Sequence, residues 1–129
     1  MIIKSFELKT LKLHNYNFYL FYGDNAGLKE ETIKNSFEKN YFNKIHRYEE
    51  KEILDNIVSF FNTAFTKSFF ENEKLIIINR ATDKIKPIIE ELISKNPEDI
   101  QFILNSKNLE KKSTLRKFFE KEKSIVCVP

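Results

Sequence analysis

The residues whose types come nearest to a known chemistry lie in the stretch YGDNAGLKEET, residues 22–32. This stretch contains the only two glycines of the chain, Gly23 and Gly27, and Lys29 follows them closely. A glycine loop between a strand and a helix can bind phosphate, because glycines let backbone N–H groups turn toward the anion and a lysine reaches its terminal oxygens. The first hypothesis for this chain is therefore a phosphate-binding loop.

The spacing of the loop departs from the pattern that nucleotide hydrolases use. That pattern is G-x-x-x-x-G-K-[ST], whereas Gly23 and Gly27 stand one residue too close and Leu28 separates Gly27 from Lys29. Glu30 occupies the place of the hydroxyl that would hold magnesium. A carboxylate at a helix start suits the helix dipole but repels a phosphate. The dinucleotide pattern G-x-G-x-x-G is absent as well.

A second catalytic element is missing from the end of a later strand. Phosphate-loop ATPases place an acidic residue there to position magnesium. Here the run LIIIN ends in Asn79, Arg80 follows it, and the next carboxylate is Asp83. We therefore interpret the loop as a structural remnant that holds no nucleotide, metal or other cofactor. Gly27 is expected to matter structurally if its φ is positive, since only glycine adopts that conformation without strain. An ATPase with an atypical loop is the alternative hypothesis.

Other catalytic and metal-binding patterns are not present. His14 and His46 are isolated, without cysteines or carboxylates at ligand spacing, so metal binding is not expected. Cys127 is the single cysteine, which excludes an internal disulfide and suits a reducing cytoplasm. It lies in an apolar run and is predicted to be a buried, inert thiol. No nucleophile and base stand at a spacing that indicates covalent catalysis.

Composition narrows the function classes further. The chain has 129 residues, 41% of them hydrophobic and 32% charged, which is typical of one globular domain. No apolar run approaches the roughly 20 residues of a membrane helix, and the N-terminus does not resemble a signal peptide. A cytoplasmic protein with no membrane partner is therefore expected. A third hypothesis is a single-strand nucleic-acid binder, but a net charge of +3 argues against it, since such binding depends on strong positive charge.

Strand and helix patterns alternate along the chain. Apolar runs at residues 18–22, 44–48, 75–79, 100–104 and 125–128 predict strands, and all but the second are near-continuous, as in strands buried on both faces. Helical spacing appears at residues 52–65, 87–94 and 113–121, and less regularly after the glycine loop. Pro87 suits a first helical turn and Ser113 suits an N-cap. This alternation predicts an α/β fold, a mostly parallel five-stranded sheet with helices on both faces.

Four segments in order carry a family resemblance: FYLFYGDNAGLKEET, TKSFFENEKLIIIN, IQFILNSKNLEKKSTLRKFF and SIVCVP. They resemble the delta subunit of the bacterial DNA polymerase III clamp loader, over essentially the whole chain but only over that family's N-terminal domain. The resemblance implies an AAA+-like, P-loop-type three-layer fold with a degenerate nucleotide site, whose first strand lies between the last and the fourth. It also implies that residues 1–129 are one domain of a longer subunit with separate lid and collar domains, which the abrupt end at Pro129 suits.

The resemblance implies partners as well. Such a domain is not catalytic itself, although its parent is a subunit of the DNA polymerase III holoenzyme. It binds the sliding clamp (the beta subunit) and favours opening of the clamp for loading onto DNA in replication. It meets the other clamp-loader subunits through the missing C-terminal domain and meets DNA through the full assembly. Asn105 stands where AAA+ proteins often carry a polar nucleotide sensor, but NSKN is more simply a turn.

The clamp contact in this family is a small hydroxyl residue followed by Leu-Phe, just before the third strand. Ser68, Phe69 and Phe70 occupy that place here, Leu75 begins the strand, and Phe69 replaces the usual leucine. The two phenylalanines could instead belong to the core. However, polar residues flank the pair on both sides, and an apolar pair inside a polar turn is a candidate exposed anchor. We therefore predict that Phe69 and Phe70 are at least partly exposed.

Overall fold

Parallel strands form the centre of the molecule in the computed structural model, which describes residues 1–10, 15–41, 44–65, 73–97, 99–122 and 125–129. Within these ranges there are five strands, namely β1 (Phe18–Phe21), β2 (Ile45–Glu49), β3 (Lys74–Asn79), β4 (Ile100–Asn105) and β5 (Val126–Val128). Their order across the sheet is β2-β3-β4-β1-β5, and each described pair is parallel. The α/β class, the five strands and the place of β1 between β4 and β5 are thus confirmed.

Helices cover both faces of this sheet. The described helices are α1 (Ala26–Ser36), α2 (Glu50–Asp55), α3 (Ile57–Phe65), α4 (Lys86–Ser94) and α5 (Thr114–Lys121). One core cluster contains buried residues of α2 to α5, and a second contains buried residues of α1 and the N-terminal segment. None of the helices in the described ranges is long and apolar enough to cross a membrane.

Burial on both faces explains the near-continuous apolar strands. In β1 all four residues are buried, and because successive strand side chains point to opposite faces they alternate between the two clusters. Phe18 stacks on Phe102 of β4 with ring centroids 4.9 Å apart. On the other face, Tyr19 and Phe21 meet the edge of Phe37 at 4.7 and 6.1 Å. The sheet therefore separates two cores, and α1 is held in place by the second of them.

The single helix predicted over residues 52–65 is wrong in one respect, because it is two helices. Asn56 interrupts it with φ −144° and ψ 62°, while its backbone N–H donates to the carbonyl of Ile53 at 3.2 Å. Asparagine often favours such local turns over a helix interior. The break turns the start of α3 outward, so that Ile57 is 39% and Val58 75% exposed. Part of the predicted apolar stripe consequently lies on the surface.

The two predicted helix starts are confirmed. Pro87 lies in the first turn of α4, and the Ser113 hydroxyl accepts a hydrogen bond from the backbone N–H of Arg116 at 3.2 Å, which makes Ser113 the N-cap of α5. The Ser113 hydroxyl also donates to Asp83 at 2.5 Å, and Asp83 accepts the N–H of Leu115 at 3.1 Å. The hydrogen bond from Ser113 lowers the pKa of the Asp83 carboxyl. Asp83 thus serves the start of α5.

Candidate functional site

The carboxyl edge of the sheet brings the glycine loop together with the ends of β3 and β4. Ligands of open α/β sheets bind at this edge, so it is where the phosphate-loop hypothesis is examined. A cleft of about 330 Å³ lies there, lined by Lys29 and Glu30 of α1, by Asn79 and Asn105, which end β3 and β4, and by residues that follow these strands. A cleft thus lies at the edge where such sheets bind ligands. The residues that line it determine whether it can bind a nucleotide.

Two hydrogen bonds hold the backbone of the glycine loop, one within the loop and one to the segment after β4. The side chain of Asn25 accepts the backbone N–H of Leu28 at 3.0 Å and so caps α1, and the N–H of Gly23 points to the carbonyl of Lys107 at 3.4 Å. Gly23 has a φ of 133°, whereas Gly27 lies inside α1 without a positive φ. The conformational need for glycine therefore belongs to Gly23, which corrects the expectation stated for Gly27.

Lys29 is engaged with the backbone. Its ammonium donates a hydrogen bond to the carbonyl oxygen of Ser106, which directly follows β4. Burial lowers the pKa of Lys29, and the nearby carboxylates of Asp24 and Glu30 act in the opposite direction. In a phosphate loop this ammonium would reach the terminal phosphates. Here it joins α1 to the segment after β4 instead.

The ends of β3 and β4 carry amides where magnesium chemistry would need a carboxylate. The Asn105 amide nitrogen donates to the Asn79 side-chain oxygen at 3.3 Å, and the Asn105 oxygen is buried without a hydrogen-bond partner among the described residues. Arg80 has a φ of 57° and pairs with Glu49 at 3.6 Å. Asp83, the first carboxylate after β3, accepts a hydrogen bond from Ser113 at the start of α5. Lys29 and Asp83, the side chains nearest to the two catalytic elements that the sequence lacks, thus make other contacts.

A larger cleft of about 580 Å³ opens between α1 and the strands β2 and β3. Its charged lining consists of Glu30, Glu31, Glu38, Lys34 and Arg47, and Arg47 forms an ion pair with Glu38. Carboxylates outnumber cations in this cleft, so its field opposes a phosphate group. The smaller cleft differs, because Lys29, Arg80 and Lys107 line it together with Glu30 and Glu49, but Lys29 is bonded to the Ser106 carbonyl and Arg80 to Glu49.

The histidines do not form a metal site in the described ranges. His46 lies in β2, whereas His14 is outside the described residues. A search of the described residues finds no group of three or more histidine, cysteine, aspartate or glutamate side chains that could hold a metal ion. The structure thus offers no metal ligand set in that part of the chain.

Cys127 is expected to resist alkylation by iodoacetamide in the folded chain at about pH 8 and to react readily after unfolding in urea. The side chain is fully buried in β5, and burial raises the pKa of the thiol to about 12, so the reactive thiolate is scarce. Mass spectrometry of the two samples measures the difference. Labelling of the folded chain at the rate of a free cysteine would contradict the buried position.

The segment predicted to bind a partner lies largely outside the described residues. This is true of Ser68, Phe69 and Phe70, whose flanking elements α3 and β3 are described. Leu75 lies in β3 and its side chain is fully buried, which makes it a core residue. Its part in a partner interface stays a prediction.

Sequence reasoning missed one residue beside this segment. Lys74 begins β3, is only 6% exposed, and its ammonium donates to the carbonyl of Thr63 in α3 at 3.0 Å. In the sequence it stands in the polar run ENEK, which is typical of a solvated turn. No sequence signal separates it from the exposed lysines, because its burial depends on how α3 packs beside β3.

Comparison with known proteins points to one family. The family model described as DNA polymerase III, delta subunit, matches residues 19–128. Among solved structures, the Bacillus subtilis DNA clamp loader delta protein is similar with a TM-score of 0.66 and 19% identity, over 97% of this chain and 42% of that chain. The chain thus spans less than half the length of that protein. A search of curated proteins found no match.

Proposed function

Because the chain belongs to the DNA polymerase III delta subunit family, we propose that it is the N-terminal, clamp-binding domain of such a subunit and that it works in the cytoplasm. The match over residues 19–128 is the single observation that carries this proposal. The parallel sheet, similar to that of the Bacillus subtilis delta protein, supports the same assignment of fold. The proposed task is to bind the ring-shaped sliding clamp and to favour its open form.

The proposed contact is made by Ser68, Phe69 and Phe70. The elements on either side of them support this position, because α3 ends at Phe65 and β3 begins at Lys74, at the amino edge of the sheet. The cleft beside Lys29 lies at the opposite, carboxyl edge. A partner bound between α3 and β3 would therefore need nothing from the glycine loop. Leu75, fully buried, would anchor the end of the contact segment from the core.

Ring opening in this proposal is driven by binding alone. A domain that binds the opened clamp more tightly than the closed clamp shifts the equilibrium by that difference in affinity. No bond is made or broken by this chain, so no catalytic residue is assigned. ATP would be used by partner subunits, which this subunit would meet through its C-terminal domains, and the full assembly would contact DNA.

The test of the proposal is direct binding between the purified chain and the sliding clamp of the same organism. Isothermal titration calorimetry is expected to show saturable binding with a defined stoichiometry. Absence of binding at clamp concentrations of about 100 μM, with both proteins folded, would contradict the proposal, because that limit corresponds to less than roughly 5.5 kcal/mol of binding free energy.

The alternative function, an ATPase with an atypical loop, makes a different prediction. We expect about 1 mM Mg-ATP to leave the melting temperature unchanged, because Lys29 is bonded to the Ser106 carbonyl and amides stand at the ends of β3 and β4. A binder at 100 times its Kd would gain about 2.7 kcal/mol, which corresponds to roughly 10 °C for a domain of this size. A rise of that size in a thermal shift assay would favour the ATPase.

A further inference from the structure

The amino group of Met1 lies at the carboxyl end of α5. It donates hydrogen bonds to three backbone carbonyls, those of Phe119 at 2.7 Å, Glu122 at 2.7 Å and Ile125 at 3.0 Å. Helix α5 ends at Lys121, and Ile125 directly precedes β5. One nitrogen thus bonds both the end of a helix and the residue before the next strand.

This arrangement suits an ammonium group. The last carbonyls of a helix have no partner within the helix, and a positive charge beside them interacts favourably with the helix dipole. An ammonium has three N–H bonds for the three carbonyls, whereas an amide nitrogen would have one N–H bond and no charge. Burial lowers the pKa of the Met1 amine, and Cys127, Glu120 and Glu122 act in the opposite direction. The three hydrogen bonds offset the loss of hydration that burial causes.

The same amino-terminal residues cover one edge of the sheet. Strand β5 stands at the end of the strand order and pairs with β1 on one side. On its other side, the N–H of Cys127 donates to the carbonyl of Met1 at 2.7 Å, and the N–H of Ile3 donates to the carbonyl of Cys127 at 2.9 Å. An uncovered edge strand presents unpaired N–H and C=O groups. Met1 therefore contributes both to the cover of this edge and to the end of α5.

We propose that the Met1 amine is a modification site whose state controls the cover of the β5 edge. The free ammonium fastens Met1 to the end of α5. Acetylation by an acetyl thioester forms an N–C bond and breaks the C–S bond, and the nitrogen loses two protons, one to the leaving thiolate and one to solvent. The product is an uncharged amide with one N–H bond for three carbonyls. The first residues then separate from β5 more often, because local opening costs less free energy.

The experiment compares the unchanged chain with two variants in which the amine becomes an amide. One is acetylated at Met1 by co-expression with an N-terminal acetyltransferase, and the other has Gly-Ser ahead of Met1. The matched control has Gly-Ser after Pro129, which adds the same residues and leaves the amine free. Mass spectrometry confirms each amino terminus.

At about pH 6.5, where an ordinary α-amino group is charged, both amide variants should melt about 5 °C below the unchanged chain. Backbone amide exchange at Ile3 and Cys127 should be about tenfold faster. These two amides should also exchange well before those of β4, which lies in the middle of the sheet. The control variant should match the unchanged chain in both measurements.

Equal melting and equal exchange in the unchanged chain and both amide variants would overturn the proposal. The same loss in the control, or a loss in only one amide variant, would also overturn it, because both amide variants lack the charge. Should these variants fail to fold, competitive labelling of the unchanged chain with a trace of acetic anhydride replaces them. The Met1 amine should then react at least about tenfold more slowly in the folded chain than in urea, and equal rates would contradict the bonded amine.

Discussion

Replacing Phe69 and Phe70 together with alanine is expected to weaken binding to the sliding clamp by about two orders of magnitude or more. Burying one phenylalanine side chain contributes roughly 1.5–3 kcal/mol from the area removed from water, and each 1.4 kcal/mol changes an equilibrium constant tenfold. Aromatic anchors that fill pockets often carry most of the binding free energy of an interface. Calorimetry with the unchanged chain and the double variant measures the loss.

The same double variant distinguishes a surface anchor from a core position. An exposed pair should leave the melting temperature nearly unchanged, whereas each buried Phe→Ala change would cost about 3–5 kcal/mol of stability. Phe6 provides a matched control, because it is 76% exposed and lies outside the proposed contact. Phe6→Ala should alter neither binding nor melting. Undiminished clamp binding by the double variant, or its collapse in the melt, would contradict the proposed contact.

Phe102→Ala is expected to lower the free energy of unfolding by about 3–5 kcal/mol. Phe102 is fully buried in β4, the middle strand of the sheet, and its ring stacks on Phe18 at 4.9 Å. Truncation removes this contact and leaves a cavity between the sheet and the helices of the first core cluster. Because β4 and β1 each have a neighbouring strand on both sides, they cannot easily move to close it. Urea denaturation followed by circular dichroism measures the change, and the melting temperature should fall by roughly 10–20 °C.

Val58→Ala is the control for this stability prediction. Val58 is 75% exposed at the start of α3, so its truncation should stay within about 0.5 kcal/mol of the unchanged chain. A loss below about 1 kcal/mol for Phe102→Ala would mean that the two cores are less tightly packed than the burial of β4 indicates.

Much of the fold was predictable because burial on both faces leaves a clear mark on a sequence. Runs such as LIIIN and IQFIL are apolar without alternation, which indicates central parallel strands, and the structure places them in β3 and β4. The helix starts at Pro87 and Ser113 were predictable because capping depends on one or two neighbouring residues. The order of the strands, in contrast, came from the family resemblance.

Local signals were insufficient where two conformations are close in energy. Asn56 is compatible with a helix interior and with a turn, and the periodicity on both sides of it favoured one continuous helix. In the structure it separates α2 from α3, while Glu50 at the start of α2 accepts hydrogen bonds from the backbone N–H and hydroxyl of Thr82. That long-range contact helps to set where α2 lies. It cannot be predicted from the spacing of apolar residues along the sequence.

The sequence by itself determined the fold class, the strands, the helix caps and the departure of residues 22–32 from a phosphate loop, because each depends on residue types at short, fixed spacing. Only the tertiary structure decided what the lysines do. Lys29 and Lys74 each look like an ordinary charged residue in a polar stretch, yet one bonds the Ser106 carbonyl and the other the Thr63 carbonyl. These partners lie 77 and 11 residues away along the chain, and packing of helices on the sheet brings them within reach.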